Sequence, residues 1–209
     1  MDERYLLRYE KISDARYIGH IDFIRMFQRA VRRAGLPAAS TGGYNPRMKF
    51  TVALALPLGY AGYSEYAELV TTRRVPCGEV ADLLNSNLPA GVRITGARFL
   101  NEKEKGPASS VRAAAYEAVL NDACVSTEQI ENYLNGLPEE ERPISLEVAN
   151  GNKIIMTVAQ GIVKNIKPSM VVSSLCDRTR IRYDPIGTTY SRLELYKTGD
   201  GALTPMFDG

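Results

Sequence analysis

The apolar residues of this chain switch between two spacings, and the order of the switches is what most constrains its fold. Residues 4–11 are rich in Tyr and Leu over strand length. From Ile21 the period turns helical, through Ile24, Phe27 and Val31, and Gly35 with Pro37 ends the run at about Ala34. Phe50, Val52, Leu54 and Leu56 then alternate with Thr51, Ala53 and Ala55, a strand stopped by Pro57 and Gly59. Residues 63–72 predict another strand, Pro76 opens a helix with Val80, Leu83 and Leu84, and residues 92–100 predict a strand. That order is βαββαβ.

The stretch NEKEKGPASS at 101–110 carries charge, Gly, Pro and Ser and no apolar residue larger than Ala, which is the composition of a linker. The order then recurs. Residues 113–120 predict a strand, and Ser126 with Gln129 forms a capping box for a helix that carries Ile130, Tyr133 and Leu134 and stops at Gly136. Residues 144–148 and 154–158 bracket Asn150-Gly151, a two-residue hairpin signal. Pro168 opens a helix-like stretch with Val171, Val172 and Leu175, and residues 178–183 predict a last strand. One more strand, 192–196, is expected in the tail, where it would pair across the halves. The expected fold is therefore α+β, with two ferredoxin-like (βαββαβ) halves packed side by side. Residues 1–100 form the first, 101–111 the linker and 112–209 the second with its tail.

Charge is informative only locally. Across 209 residues, 26 Lys+Arg against 24 Asp+Glu leave +2. Residues 1–50 hold ten basic residues, eight of them Arg, against five acidic ones, so the first 50 carry +5 and the remainder −3. No apolar run reaches membrane-spanning length, and MDERYLLRYEK is charged where a signal peptide would be apolar, so a cytoplasmic, non-membrane protein is expected. Cys77, Cys124 and Cys176 lie far from one another and His20 is the one histidine, which argues against a metal or iron–sulfur site. No cofactor is expected, since neither a P-loop pattern nor G-x-G-x-x-G occurs.

Three groups of residues stand out for chemistry. At 100° per residue, Arg29, Arg32 and Arg33 fall within about 40°, 20° and 80° of Arg25, so one helix face presents four guanidiniums, suited to bidentate oxyanion contacts. Next comes the loop Thr41-Gly42-Gly43-Tyr44-Asn45-Pro46-Arg47-Met48-Lys49, where paired glycines allow close backbone approach, Tyr44 can stack on a base and Arg47 and Lys49 supply charge. Arg178, Arg180 and Arg182 alternate along the expected last strand, which would send all three to one sheet face. His20 at the helix start is the candidate general acid/base, with Asp22 in the first turn. Glu65 and Glu68 are too few for a metal site, and pairing with nearby arginines is the plainer role.

The run Arg16-Tyr17-Ile18-Gly19-His20-Ile21-Asp22, then Arg29, Arg32-Arg33-Ala34-Gly35-Leu36-Pro37, Gly43-Tyr44-Asn45-Pro46 with Lys49, and Pro57-Leu58-Gly59 followed by Ser64-Glu65-Tyr66 resembles the radical SAM-linked protein family. That bacterial domain of uncharacterised activity occurs beside or fused to cobalamin-binding radical SAM proteins. The likeness is strong over residues 4–72 and architectural beyond about residue 100. Gly19 stands where family members usually have Ser, and Arg47-Met48 where they have Pro or His. The resemblance implies a cobalamin-binding radical SAM partner. This chain lacks the three closely spaced cysteines such an enzyme uses, so an accessory role follows. The family's association with RNA-processing and ribosomal genes implies tRNA or rRNA as the cargo. Two other readings stand beside it: a metal-independent RNA-processing or RNA-modifying enzyme using His20, and a protein-only adaptor for the radical SAM partner.

Overall fold

A computed structural model describes residues 2–161 and 164–207. Their strands join in one mixed nine-stranded sheet, with five α-helices. The first half runs β1 (Glu3–Lys11), α1 (His20–Arg33), β2 (Phe50–Val52), β3 (Ala61–Thr71), α2 (Cys77–Asn85) and β4 (Val92–Leu100). After a short helix, α3 (Pro107–Ser110), the second runs β5 (Ala113–Val119), α4 (Thr127–Asn135), β6 (Ser145–Ala149), β7 (Lys153–Ala159), α5 (Pro168–Thr179) and β8 (Thr189–Gly199), with β9 (Ala202–Pro205) folded back on β8. Across the sheet the order is β4-β1-β3-β8-β5-β7-β6, with β2 beside the far end of β3.

Local signals act where they were expected. Gln129 N–H donates to Ser126 Oγ while the Gln129 side chain accepts from Ser126 N–H, closing the capping box of α4. Asn150 and Gly151 turn the β6–β7 hairpin at positive φ of 57° and 74°, but the loop between Ala149 and Lys153 has three residues, 150–152, rather than the two expected. On α1, Phe23, Phe27, Ala30 and Val31 form the buried stripe, and Phe27 stacks on Phe50 with centroids 4.4 Å apart. Gly35, at φ 67°, ends that helix in a conformation that glycine adopts most cheaply.

Two strands differ from expectation. β2 covers three residues rather than 50–56: beyond it the Ala53 N–H still donates to Tyr66 O, but the Leu54 and Ala55 carbonyls accept from the Arg192 guanidinium, and the early part of β3 pairs in parallel with β8 through Ala61↔Ser191 and Gly62↔Arg192. Residues 178–183 are not a strand. The stripe Val171, Val172, Leu175 and Cys176 carries α5 on to Thr179, where Arg180 at φ 57° closes it. Arg180 N–H donates to Asp177 O and Ile181 N–H to Cys176 O, the paired bonds of a Schellman cap. The strand expected at 192–196 forms within β8, which binds β3 on one side and β5 on the other and thereby joins the halves.

Residues 101–111 do not hang free. Arg4 donates to Asn101 O at 3.2 Å and Glu104 O at 2.8 Å, while Pro107 and Val111 are buried. One hydrophobic cluster, built on Tyr5, Leu7, Tyr9, Phe27 and Leu69, lies wholly in the first half. The other holds Leu6, Tyr66 and Leu100 together with Tyr116, Ile154, Val172 and Leu195, so the core crosses between the halves.

Candidate nucleic-acid interface

The apolar stripe of α1 is sunk against β1 and β2, which turns its opposite face to solvent: Arg25, Arg29, Arg32 and Arg33 are all exposed. Asp22 pairs with Arg25 at 3.5 Å, and Arg33 donates to Asn87 O at 2.5 Å. Arg29 and Arg32 have no hydrogen-bond or ion-pair partner among the described residues. Four cations on one face with one carboxylate among them leave a net positive strip, and guanidinium forks there remain open to oxyanions.

From the end of α1 the chain passes through Gly35 and Pro37 into a pinched loop. Ser40 and Met48 bridge, Thr41 N–H donates to Arg47 O at 2.8 Å, and Arg47 N–H returns to Thr41 Oγ1 at 3.0 Å. That neck holds Gly42, Gly43, Tyr44, Asn45 and Pro46 out as an exposed tip. Gly43 turns at φ 101°, and the Tyr44 ring is fully in solvent, without a packing partner that would explain an aromatic side chain there. Lys49, at the foot of the loop, pairs with Asp2 at 2.8 Å.

His20 is the first residue of α1 and is exposed, next to Tyr9, Lys11, Phe23 and Leu56. Asp22, in the first turn where the helix dipole favours an acid, pairs with Arg25 at 3.5 Å. Arg178, Arg180 and Arg182 do not form a sheet face, since the segment that carries them caps a helix. Arg178, in the last turn of α5, donates to Gly136 O at 2.8 Å and lies over Tyr133, while Arg180 is the cap and Arg182 follows in irregular chain; all three are exposed in the second half.

The strongest polar feature is one that spacing did not reveal. Arg192 and Glu65 are fully buried and paired through two hydrogen bonds, Nε to Oε1 at 2.7 Å and Nη2 to Oε2. The same guanidinium donates to Leu54 O at 2.8 Å and Ala55 O at 3.3 Å. Burial pushes the Glu65 carboxyl up, against the pull of Arg192 and Lys11. That carboxyl in turn holds Arg192 above its ordinary range in spite of burial. Lys11, nearly buried, donates to Ile18 O at 2.7 Å, and burial lowers its pKa. Glu68 pairs with Arg4 at 2.6 Å, so both acids of this strand meet arginines as expected, although Arg192 is far from Glu65 in sequence. Among the described residues no group of three or more His, Cys, Asp and Glu could hold a metal, and no helix is long and apolar enough to cross a membrane.

No curated protein matches the chain significantly. Among solved structures, one described as the crystal structure of an unknown protein from Galdieria sulphuraria aligns over 95% of this chain and 100% of its own at 14% identity. Its TM-score of 0.30 is too low to define a shared fold. A family profile fits residues 4–179, from β1 through α5, with β8 and β9 outside the match. The chain therefore belongs to the family described as "Uncharacterized protein conserved in bacteria (DUF2344)".

Proposed function

We propose that the protein is an accessory RNA-binding module of the cytoplasm that holds tRNA or rRNA and presents it to a radical SAM modification enzyme. The observation that carries the reading is the exposed guanidinium strip of α1, where Arg29 and Arg32 are unpartnered among the described residues. Phosphates would lie along Arg25, Arg29, Arg32 and Arg33, and the projecting tip with Tyr44, Asn45 and Arg47 would meet a base. The cobalamin-binding radical SAM partner rests on the resemblance of the motifs between Arg16 and Tyr66. Each half reads as a ferredoxin-like unit, supported by two matching strand orders, β4-β1-β3-β2 and β8-β5-β7-β6.

The test is a fluorescence-anisotropy titration with bulk tRNA and rRNA fragments at several salt concentrations. If about five phosphates are neutralised, log affinity falls against log salt with a slope of roughly −3.5 to −4.5. The Arg29→Glu/Arg32→Glu variant changes only exposed positions and should abolish binding with the fold intact. Salt-independent binding, or none, removes RNA and leaves the strip to an acidic protein partner. RNA turnover that is lost in His20→Ala while affinity persists would make the protein an enzyme instead.

A further inference from the structure

A second site lies where the halves meet, away from α1 and the 40–48 loop. The turn entering β3 faces the start of α5 and the connection into β8, and between them is a cleft of about 480 Å³. Tyr60 and Ser169 line both this cleft and a neighbouring one of about 360 Å³.

Three properties of the lining define its ligand. First, the ionisable side chains that line the two clefts are cations and phenols; of the carboxylates beside them, Glu65 is paired with Arg192 and Asp184 accepts the Ile186 N–H. Arg16 lines the larger cleft, and Lys167, at the cap of α5, lines the smaller one. The Arg16 Nε is buried without an acceptor, a desolvated donor for which folding supplies no partner. Its Nη2 meanwhile bonds the Tyr17 hydroxyl and its guanidinium lies over the Tyr17 ring, which fixes the fork in place.

Second, α5 is a twelve-residue helix opening at Pro168, and the backbone N–H of Ser169 falls in its first turn, where no carbonyl of the helix can reach it. Third, the walls are aromatic and the rim apolar. Tyr60 stacks on Tyr190 at 4.8 Å, and Tyr183 bonds Tyr190 through their hydroxyls. Tyr17, Leu58 and Ile186 stand at the mouth 58%, 66% and 95% exposed, a grouping of large apolar surface that a ligand ring would cover. Burial pushes the Tyr60 phenol up to about 12, so it remains a hydrogen-bond donor at neutral pH.

A cleft with cations, a helix start, stacked phenols and an apolar mouth suits an oxyanion joined to a planar ring. We propose that the seam is a binding site for a mononucleotide, a nucleoside monophosphate whose phosphate meets Arg16, Ser169 and the start of α5 and whose base lies against Tyr17, Leu58 and Ile186. The cleft volume matches such a ligand. The site does not depend on the RNA reading, because none of its residues belongs to the basic strip or the loop.

Isothermal titration of the full chain against AMP, GMP, CMP and UMP tests this, with inorganic phosphate and adenosine run separately. At least one monophosphate is expected to bind about tenfold or more tightly than either part alone. Arg16→Ala and Ile186→Ala should each weaken it about tenfold, whereas Arg29→Glu/Arg32→Glu should leave it unchanged. Ile186 is 95% exposed, so its variant reports even where Arg16→Ala disturbs the turn. Failure of every monophosphate to bind at millimolar concentration overturns the proposal. So does binding that survives Ile186→Ala and disappears in the α1 variant, which would put the nucleotide on the basic strip.

Discussion

Arg192 illustrates how little a residue type says about its place. In the run Arg192-Leu193-Glu194-Leu195 it has the look of the solvent side of a strand, yet it is the largest fully buried side chain, spending its donors on Glu65, Leu54 O and Ala55 O. Gly62 makes room for this, since a Cβ there would come within 2.6 Å of the Glu65 side chain. Removing one partner of such a pair strands the other charge in the interior. Glu65→Gln and Arg192→Met are each expected to cost about 3–5 kcal/mol in urea unfolding. The double variant should lose clearly less than the sum of the two, because neither charge is then left alone. Additive losses would mean that Arg192 acts mainly through the carbonyls of the 53–56 segment.

At the scale of elements, α5 explains why three arginines were expected on a sheet and were found around a helix end. The alternation Arg178, Arg180, Arg182 imitates a strand, while the buried positions 171, 172, 175 and 176 keep helical spacing for two turns before it. What misleads is the stop signal: Arg180 occupies the left-handed position where a helix usually has glycine, so nothing in the sequence marks the end. An L residue is strained there by roughly 1–2 kcal/mol. Arg180→Gly should therefore raise stability by about 1 kcal/mol, after the extra entropy of glycine in the unfolded chain is deducted. A thermal scan that shows Arg180→Gly less stable than the parent would mean that the arginine side chain has a compensating contact.

For the whole molecule, the joint between the halves is narrow in backbone and broad in side chains. β3 and β8 share only the pairs Ala61↔Ser191 and Gly62↔Arg192, but the second hydrophobic cluster, the Glu65–Arg192 pair and the hydrogen bond from Tyr66 to Glu194 all cross it. Unfolding is expected to be a single calorimetric transition, with calorimetric and van't Hoff enthalpies equal. Residues 1–100 expressed alone would expose Leu6, Tyr66 and Leu100 and should aggregate or bind hydrophobic dyes. Two resolved transitions would show that each half folds on its own core and that the joint is only an interface.

The order of elements was legible in the sequence because it is written in local terms. Period, Pro, Gly, the Ser126 capping box and the Asn150-Gly151 turn act within a few residues, and they placed eight of the nine strands and the four longer helices close to where they lie. The basic strip was legible for the same reason, since helical periodicity alone brings Arg25, Arg29, Arg32 and Arg33 to one face. The tertiary structure decided what depends on contacts between distant residues. It ended β2 at Val52, where the next carbonyls turn to the Arg192 guanidinium, and it turned Arg192 inward onto Glu65. It also assembled the seam cleft from the turn at Tyr60 and the start of α5. Those outcomes follow from desolvation and pairing across the chain, energies that no window of neighbouring residues contains.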